Sequence, residues 1–545
     1  MGSAACRAVG SAATCRPEQI CLTRNLNFTI FALKGFEVPT TPEPTSLSTP
    51  QPPITEAGVP YGKQVTIRAL STPDSVAVVV VHADDTETTL TWNALERGSN
   101  QWARLLTQRG LTADAMVALA VPNSPELVLA TLASWKLGAI PVPMRWDLPD
   151  WERTRLLEVI EPALVLTEEL AAEFADAARH LSTDPVDIHV SPATNGICSS
   201  GSTGLPKVIL NAAPARWTPR LSEPFMAQWR PVAQPQTILV PAPLYHTNGF
   251  LTLNYLLGGD RLILLEKFTA PRMLTSIERH QVTNFTATPT MLSRVADLDD
   301  VDRRDLSSID WILQGAAVMP EVLLRRWFDL LSPEQIVMAY GMTENLGLTA
   351  IRGDEWLSHP GSVGRGFRDT EIRITATDGT PVPAGQIGEI CLRAPMTGGY
   401  RYLGGAPQLP TTADGFTSAG DLGRLDADGY LYIADRRTDM IVTGGANVFP
   451  AEVESALLDH EDIVDVVVIG LADDRWGRRV HAVVQARDVT HPPTPEAVIH
   501  FAKARLAAYK APKTVEFVNE IPRTAATKVN RSAMVHERER APRTS

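Results

Sequence analysis

Cysteine is scarce in this chain: five in 545 residues, three of them (Cys6, Cys15 and Cys21) close to the start. None has metal-ligand spacing, so neither a zinc ribbon nor a disulfide framework organises the protein. Cys198 and Cys391 are expected to behave as small buried apolar residues, and the expected compartment is reducing cytoplasm. Long apolar runs are missing too. None approaches the roughly 18–20 residues that span a bilayer, so no transmembrane segment is expected. Basic excess is absent: 50 Lys and Arg stand against 62 Asp and Glu, a formal net charge of −12. With no basic stripe or arm, a nucleic-acid partner is excluded. Gly2 to Gln19 lacks the basic start and apolar core of a signal peptide, and no repeat of 20–50 residues is visible.

What is present is size and apolar content. A composition 44% hydrophobic and 21% charged is ordinary for a soluble globular enzyme. A chain of this length divides into at least two domains. Met1 to Gln51 runs into Pro39–Pro53, rich in Pro, Ser and Thr, a linker composition that buries too little apolar surface to order itself. Residues 1–55 therefore read as a disordered N-terminal extension, or as translation from an upstream start codon, with no part in the chemistry.

From Val76 onward, apolar strand-like runs alternate with amphipathic windows. Val76–Val81 reads as a buried strand, and Thr91–Arg109 has helical spacing through Leu95, Trp102, Leu105 and Leu106. Met116–Val121, Pro125–Leu137 and Ile140–Pro143 repeat the strand–helix–strand cycle. Ile238–Val240, Leu262–Leu265, Asn284–Ala287 and Ile309–Leu313 continue it. The rhythm predicts an α/β fold of parallel sheets covered by helices. After Asp378, short strands and Gly/Asp turns (Gly385–Arg393, Ala427–Tyr432) predict a β subdomain. A final α+β unit follows, with helices Pro450–Leu458 and Glu496–Ala507 around strands Val464–Gly470 and Val480–Ala486. Leu257-Gly258-Gly259-Asp260 looks like a carrier-protein attachment site, but Arg261 stands where its serine would be.

The stretch Ser199-Ser200-Gly201-Ser202-Thr203-Gly204-Leu205-Pro206-Lys207 carries the most chemical information. Glycines permit close approach and hydroxyls add donors, so the loop can wrap phosphates. It is not a Walker A loop, because Pro206 replaces the second Gly and Val208 follows the lysine. A Gly/Ser-rich surface turn is the plainer alternative for this loop taken alone.

Three later segments weigh against that alternative. They are Tyr340-Gly341-Met342-Thr343-Glu344; Gly420-Asp421-Leu422-Gly423 with Asp435-Arg436-Arg437-Thr438-Asp439 and Gly444-Gly445; and Pro522-Arg523-Thr524-Ala525-Ala526-Thr527-Lys528. In this order, over roughly residues 56–535, the set resembles the adenylate-forming superfamily of acyl-CoA synthetases, luciferases and adenylation domains, with bacterial acyl-CoA ligases most similar. Ser202 stands for the usual Thr, and Val208 for the usual small residue.

The resemblance implies a large adenylating domain over 56–438 and a small mobile domain over 439–545, with Asp439 as the hinge. It implies ATP, Mg2+ and CoA as cofactors. Ser199, Ser200, Gly201, Ser202, Thr203, Gly204 and Lys207 would hold the β- and γ-phosphates. Thr343 would touch the α-phosphate and Glu344 would hold Mg2+, a hard cation suited to carboxylate oxygen. Tyr340 and Gly315-Ala316-Ala317 would face adenine, and Asp421 and Arg436 the ribose, since a carboxylate accepts from both hydroxyls. Lys528 would be the catalytic cation where substrate carboxylate meets α-phosphate. On the thiol side, Gly444 and Gly445 would line the pantetheine tunnel. Trp476, Tyr509 and Lys513 would face CoA, and His246 would gate the passage.

The implied activity is that of an AMP-forming acyl-CoA synthetase, an acid–thiol ligase for a fatty, aryl or sterol-side-chain acid. A stand-alone ligase loading a separate carrier protein is the nearest alternative, and homodimerisation is open. A non-catalytic acyl-nucleotide sensor is a further alternative, against which every charged catalytic position is intact. An amino-acid adenylation domain fits less well, with His246 where an acid would be needed. Nothing specific favours a luciferase. The acyl pocket should include His246, Thr247, Asn248, Gly249, Gly315, Gly341, Asn345 and Leu348, whose small residues predict a roomy space, and the surrounding sequence leans towards fatty-acid and bile-acid ligases.

Overall fold

The computed structural model describes residues 58–199, 207–394, 399–436, 439–444, 446–473, 475–523 and 529–540. The N-terminal extension, the loop residues Ser200 to Gly204, Gly445 and Lys528 lie outside the described residues, as do the side chains of Ser199 and Arg436.

Six strands run parallel, side by side, in the spatial order Val76–Val81, Arg261–Leu265, Thr237–Val240, Asn284–Ala287, Trp311–Gln314 and Ile336–Gly341. Antiparallel Glu87–Thr91 extends one edge, and Leu348–Arg352 with Arg365–Phe367 the other. Apolar runs such as Val76–Val81, buried over nearly their whole length, are what a sheet covered on both faces requires. A second parallel sheet joins Ile140–Pro143, Met116–Leu119 and Leu164–Leu166. The expected helix over Thr91–Arg109 forms as Trp92–Gln108 and buries Leu95, Trp102, Leu105 and Leu106. Pro125–Leu137 is helical as expected. Ser124 caps its first turn by accepting from the Leu127 N–H, and Gly138 ends it at φ 75°, a conformation glycine adopts without Cβ strain.

The β subdomain is a four-stranded antiparallel sheet of Glu371–Thr375, Gly388–Arg393, Thr417–Leu425 and Leu431–Arg436. Within Ala427–Tyr432, read as turn and short strand, the strand begins at Leu431. Asp426 Oδ1 accepts from the backbone N–H groups of Asp428 and Tyr430, folding the residues before it into a turn.

The C-terminal α+β unit pairs Ile463–Asp473 with Gly477–Ala486 and adds Thr514–Val518 in parallel. Helices Pro450–Leu458, Pro495–Arg505 and Arg531–Arg540 accompany it. It has its own apolar core, from Ile441 and Val448 through Val468, Val484 and Val498. Cys391 is buried as expected. Cys198 is only partly buried at the rim of an apolar cluster, with its thiol pushed up to about 12 by desolvation. No helix among the described residues is long and apolar enough to cross a membrane.

One polar cluster between helices Trp92–Gln108 and Pro125–Leu137 was not legible in the sequence. Lys136 is fully buried in helix Pro125–Leu137, and its Nζ donates to Glu96 Oε2 and Asn100 Oδ1, both at 2.6 Å, on helix Trp92–Gln108. Burial pushes the Lys136 ammonium below its usual range, and Glu96 opposes that shift. Removing one member of a buried ion pair strands the other charge. Lys136→Ala should therefore cost about 3 kcal/mol of stability, and Lys136→Met combined with Glu96→Leu should recover most of it. Urea unfolding followed by tryptophan fluorescence measures both.

Candidate active site

The site is assembled at the carboxyl ends of the parallel strands, where ligands collect in open α/β sheets. The chain leaves Thr237–Val240 towards His246, Trp311–Gln314 into Gly315-Ala316-Ala317, and Ile336–Gly341 into Thr343 and Glu344. Because the three strands are parallel members of one sheet, these segments emerge on one rim.

The strands flanking the Ser/Gly-rich loop form an antiparallel pair. Asn195–Ser199 pairs antiparallel with Lys207–Asn211, and Ser199 stands opposite Lys207, so both ends of the loop are held by backbone pairing. Tyr400–Tyr402 adds a third strand, with Tyr402 opposite Ile209. The Lys207 ammonium lies 5.0 Å from the centre of the Tyr402 ring, within cation–π range. The Tyr402 hydroxyl donates to Glu344 Oε1 at 2.7 Å. Burial, reinforced by that bond, raises the Tyr402 phenol well above its ordinary range, which keeps it a donor. Tyr402 was not singled out from sequence; the alternation in Tyr400-Arg401-Tyr402 was its only signal.

The expected nucleotide residues also meet. Tyr340 donates from its hydroxyl to Asp421 Oδ2 at 2.6 Å, and Asp421 faces Arg436 across the ladder of Thr417–Leu425 and Leu431–Arg436. Thr343 shares a hydroxyl–hydroxyl hydrogen bond of 3.0 Å with Thr247, beside His246. The Gly315–Ala317 turn is pinned by Gln314, whose buried amide donates to the carbonyls of Gly315 and Ala317. Ala316 is held at φ 74°, a strained conformation for a residue with a Cβ. Sequence reading missed Gln314, because nothing in a glutamine at a strand end marks it as a brace. His246 closes a row of rings: Trp146 packs edge-on against Tyr245 at 5.7 Å, and Tyr245 lies 4.4 Å from the His246 ring.

The glycines expected along the acyl pocket differ in how closely their neighbours approach. A Cβ on Gly249 would lie 2.2 Å from the Pro243 carbonyl oxygen, and one on Gly341 would lie 2.3 Å from Leu348 Cδ2. These two glycines admit close packing, whereas the nearest atoms to a Cβ on Gly315, Asn248 Nδ2 and the Ala339 carbonyl oxygen, stand at ordinary contact distances of 3.8 and 3.9 Å.

The residues expected on the thiol side lie in the C-terminal unit, where Gly444 and Trp476 meet. Gly444, at φ 56°, donates its N–H to the Trp476 carbonyl, and a Cβ there would lie 2.7 Å from the Trp476 ring. Trp476 is 41% exposed and Tyr509 45%, so neither is a core aromatic. Lys513 Nζ donates to the nearby Ala508 carbonyl. Among the described residues, no hydrogen bond or ion pair joins Gly444, Trp476, Tyr509 or Lys513 to the nucleotide-side residues. Asp439 is tied instead to Arg531 at 3.2 Å.

For a divalent cation, the fit is one of shared ligation. Glu344 Oε1 is occupied by Tyr402, and among the described residues its second carboxylate oxygen has no partner. With the Thr343 hydroxyl nearby in the chain, this hard oxygen set suits Mg2+ held jointly with phosphate oxygens. Among the described residues, the one grouping of metal-type ligands is His359, Asp426 and Asp428. There the Asp426 oxygens already accept from two backbone N–H groups and from Tyr432.

Comparison with known proteins agrees with this geometry. The model of the AMP-binding enzyme family matches residues 65–401. The chain belongs to that family. The model of the AMP-binding enzyme C-terminal domain matches residues 452–528, and the resemblance to the adenylate-forming superfamily is thereby borne out. This AMP-binding enzyme is 32% identical over 481 residues to the 2-succinylbenzoate–CoA ligase of Bacillus licheniformis, covering 85% of this chain and 97% of that one. It is 30% identical over 467 residues to the indoleacetate–CoA ligase of Aromatoleum aromaticum, covering 79% and 89%. The solved o-succinylbenzoate CoA synthetase of Bacillus subtilis, in complex with the acyl-adenylate intermediate OSB-AMP, matches with a TM-score of 0.75 at 27% identity, covering 86% and 97%. The same enzyme in complex with ATP and magnesium ion matches with a TM-score of 0.74 at 26% identity, covering 86% and 98%.

Asp421 is the carboxylate expected to accept from the ribose hydroxyls. Asp421→Ala should weaken ATP binding by at least about tenfold, the scale of a lost hydrogen bond to a charged group. Tyr340→Phe, which leaves the carboxylate in place, should cost less. Isothermal titration of ATP into the full chain measures both.

Proposed function

We propose that this AMP-binding enzyme is an ATP- and Mg2+-dependent acid–CoA ligase acting on an aryl carboxylic acid. The reaction runs in two steps. The substrate carboxylate attacks the α-phosphate of ATP, giving acyl-AMP and releasing pyrophosphate; the CoA thiol then attacks the acyl carbon, and AMP leaves. The observation that carries this reading is the meeting of Lys207, Glu344, Thr343 and the Tyr340–Asp421 pair on one rim of the sheet. Bringing two anions together is mainly a matter of orientation and charge neutralisation, and these are the groups that supply it. Mg2+ at Glu344 would neutralise charge on the phosphates.

In the same reading, Ser199 to Gly204 and Lys207 hold the outer phosphates, and Gly315-Ala316-Ala317 and Tyr340 border adenine. Asp421 and Arg436 hold the ribose, and His246 gates the passage to the thiol. Residues 439–545 form the small domain that turns about Asp439, carrying Lys528 for adenylation and Gly444, Gly445, Trp476, Tyr509 and Lys513 for CoA. Trp476 and Tyr509 are both exposed on the C-terminal unit, which leaves their rings accessible to a ligand. The aryl choice rests on the two curated relatives, both named for aromatic acids. They give no support to the fatty-acid and bile-acid leaning of the sequence.

A pyrophosphate-release assay over aryl, fatty and sterol-side-chain acids, with and without CoA, tests the proposal. An aryl acid should give the highest kcat/KM, and multiple turnover should require CoA. CoA-independent turnover limited to one equivalent, with transfer only to a carrier protein, would favour the carrier-loading alternative.

Lys528→Ala should abolish acyl-adenylate formation while largely sparing thioester formation from supplied acyl-AMP. The lysine charge matters where two anions meet, not where a thiol attacks an activated acyl group. Losing such a preorganised cation should lower the first step by about a hundredfold or more, and equal loss in both half-reactions would overturn the role.

A further inference from the structure

We infer that Tyr402 is a positioning residue that sets the Mg2+ carboxylate and the phosphate lysine against one another. The inference rests on the proposed reading of Glu344 as the Mg2+ ligand and of Lys207 as a phosphate donor.

Glu344 stands in a segment without regular structure, between strand Ile336–Gly341 and strand Leu348–Arg352. Asn345 at φ 52° and Gly347 at φ 149° interrupt the backbone there. A glutamate on such a segment keeps much of its rotamer freedom, a cost that would fall on cation binding. Tyr402 removes it. Its hydroxyl takes Oε1 at 2.7 Å, which leaves the second oxygen of Glu344 to face a cation.

Tyr402 is itself rigid. It is 6% exposed and lies in a strand paired with Lys207–Asn211, and the Leu403 N–H donates to the Val208 carbonyl. The Tyr400 ring packs edge-on against it at 5.1 Å, and the Tyr400 hydroxyl is held by the Leu409 N–H. The face of the same Tyr402 ring carries the Lys207 ammonium at 5.0 Å. One side chain thus fixes a cation for the phosphates through its ring and an anion for the metal through its hydroxyl. Two segments far apart in sequence are tied to one reference point.

The two contacts can be separated by substitution. ATP is titrated calorimetrically into the full chain over a series of Mg2+ concentrations and, separately, with Mg2+ chelated. Tyr402→Phe keeps the ring and loses the hydroxyl. It should weaken ATP binding about tenfold with Mg2+ present and raise the half-effective Mg2+ concentration by a similar factor, while Mg2+-free binding stays within roughly twofold. Tyr402→Leu removes the ring as well and should also weaken Mg2+-free binding, because Lys207 loses its support. An unchanged Mg2+ dependence in Tyr402→Phe would overturn the inference, as would an equal loss with and without Mg2+, which is the signature of a purely structural hydroxyl. Glu344→Gln distinguishes the two levels. If it shifts the Mg2+ dependence and Tyr402→Phe does not, the positioning role alone fails. If neither shifts it, the reading of Glu344 as metal ligand fails and takes the inference with it.

Discussion

Everything at the site depends on six strands running the same way. A parallel sheet sends the chain out at one rim after each strand, and that rim is where Gly315, Thr343 and Glu344 emerge. The residues that meet there are separated by dozens to hundreds of positions in sequence. Helix-covered parallel strands make this arrangement stiff, because each strand is buried on both faces and cannot slip without exposing apolar surface. The stiffness matters chemically, since groups that stabilise developing charge act well only if they need not reorganise.

Around that rim the polar contacts act as braces, two of them between elements from different sheets. The Tyr340–Asp421 bond ties the end of the large sheet to the antiparallel subdomain. The Tyr402–Glu344 bond ties it to the hairpin that carries the Ser/Gly-rich loop. Gln314 braces the Gly315–Ala317 turn from beneath. Each brace is buried or partly buried, where a hydrogen bond is stronger and an unmade one more costly. The candidate site is therefore already braced in the protein alone. Trp476 and Tyr509 differ: each is exposed on the C-terminal unit, without polar links to the rim among the described residues.

Glycine has two distinct uses here. At Gly249, Gly341 and Gly444 the missing side chain lets a backbone or a large side chain approach closely. At Gly315 a side chain would meet its nearest neighbours only at ordinary contact distance. A sequence shows four glycines with equal claims to line a pocket, and only the neighbours separate them.

Local information was enough for the elements themselves. Val76–Val81, Pro125–Leu137, Asn284–Ala287 and Pro450–Leu458 form with the expected ends, because apolar period, N-capping residues and glycine stops act over a few residues. The motifs likewise marked Tyr340, Thr343, Glu344 and Asp421, which the structure gathers around one rim. Tertiary structure alone decided the rest. It joined Lys136 to Glu96, set Tyr402 between Lys207 and Glu344, placed Gln314 under its turn, and packed Leu348 into the space beside Gly341. None of these has a local signature, because the partner that gives each residue its role is brought near only when the sheets assemble.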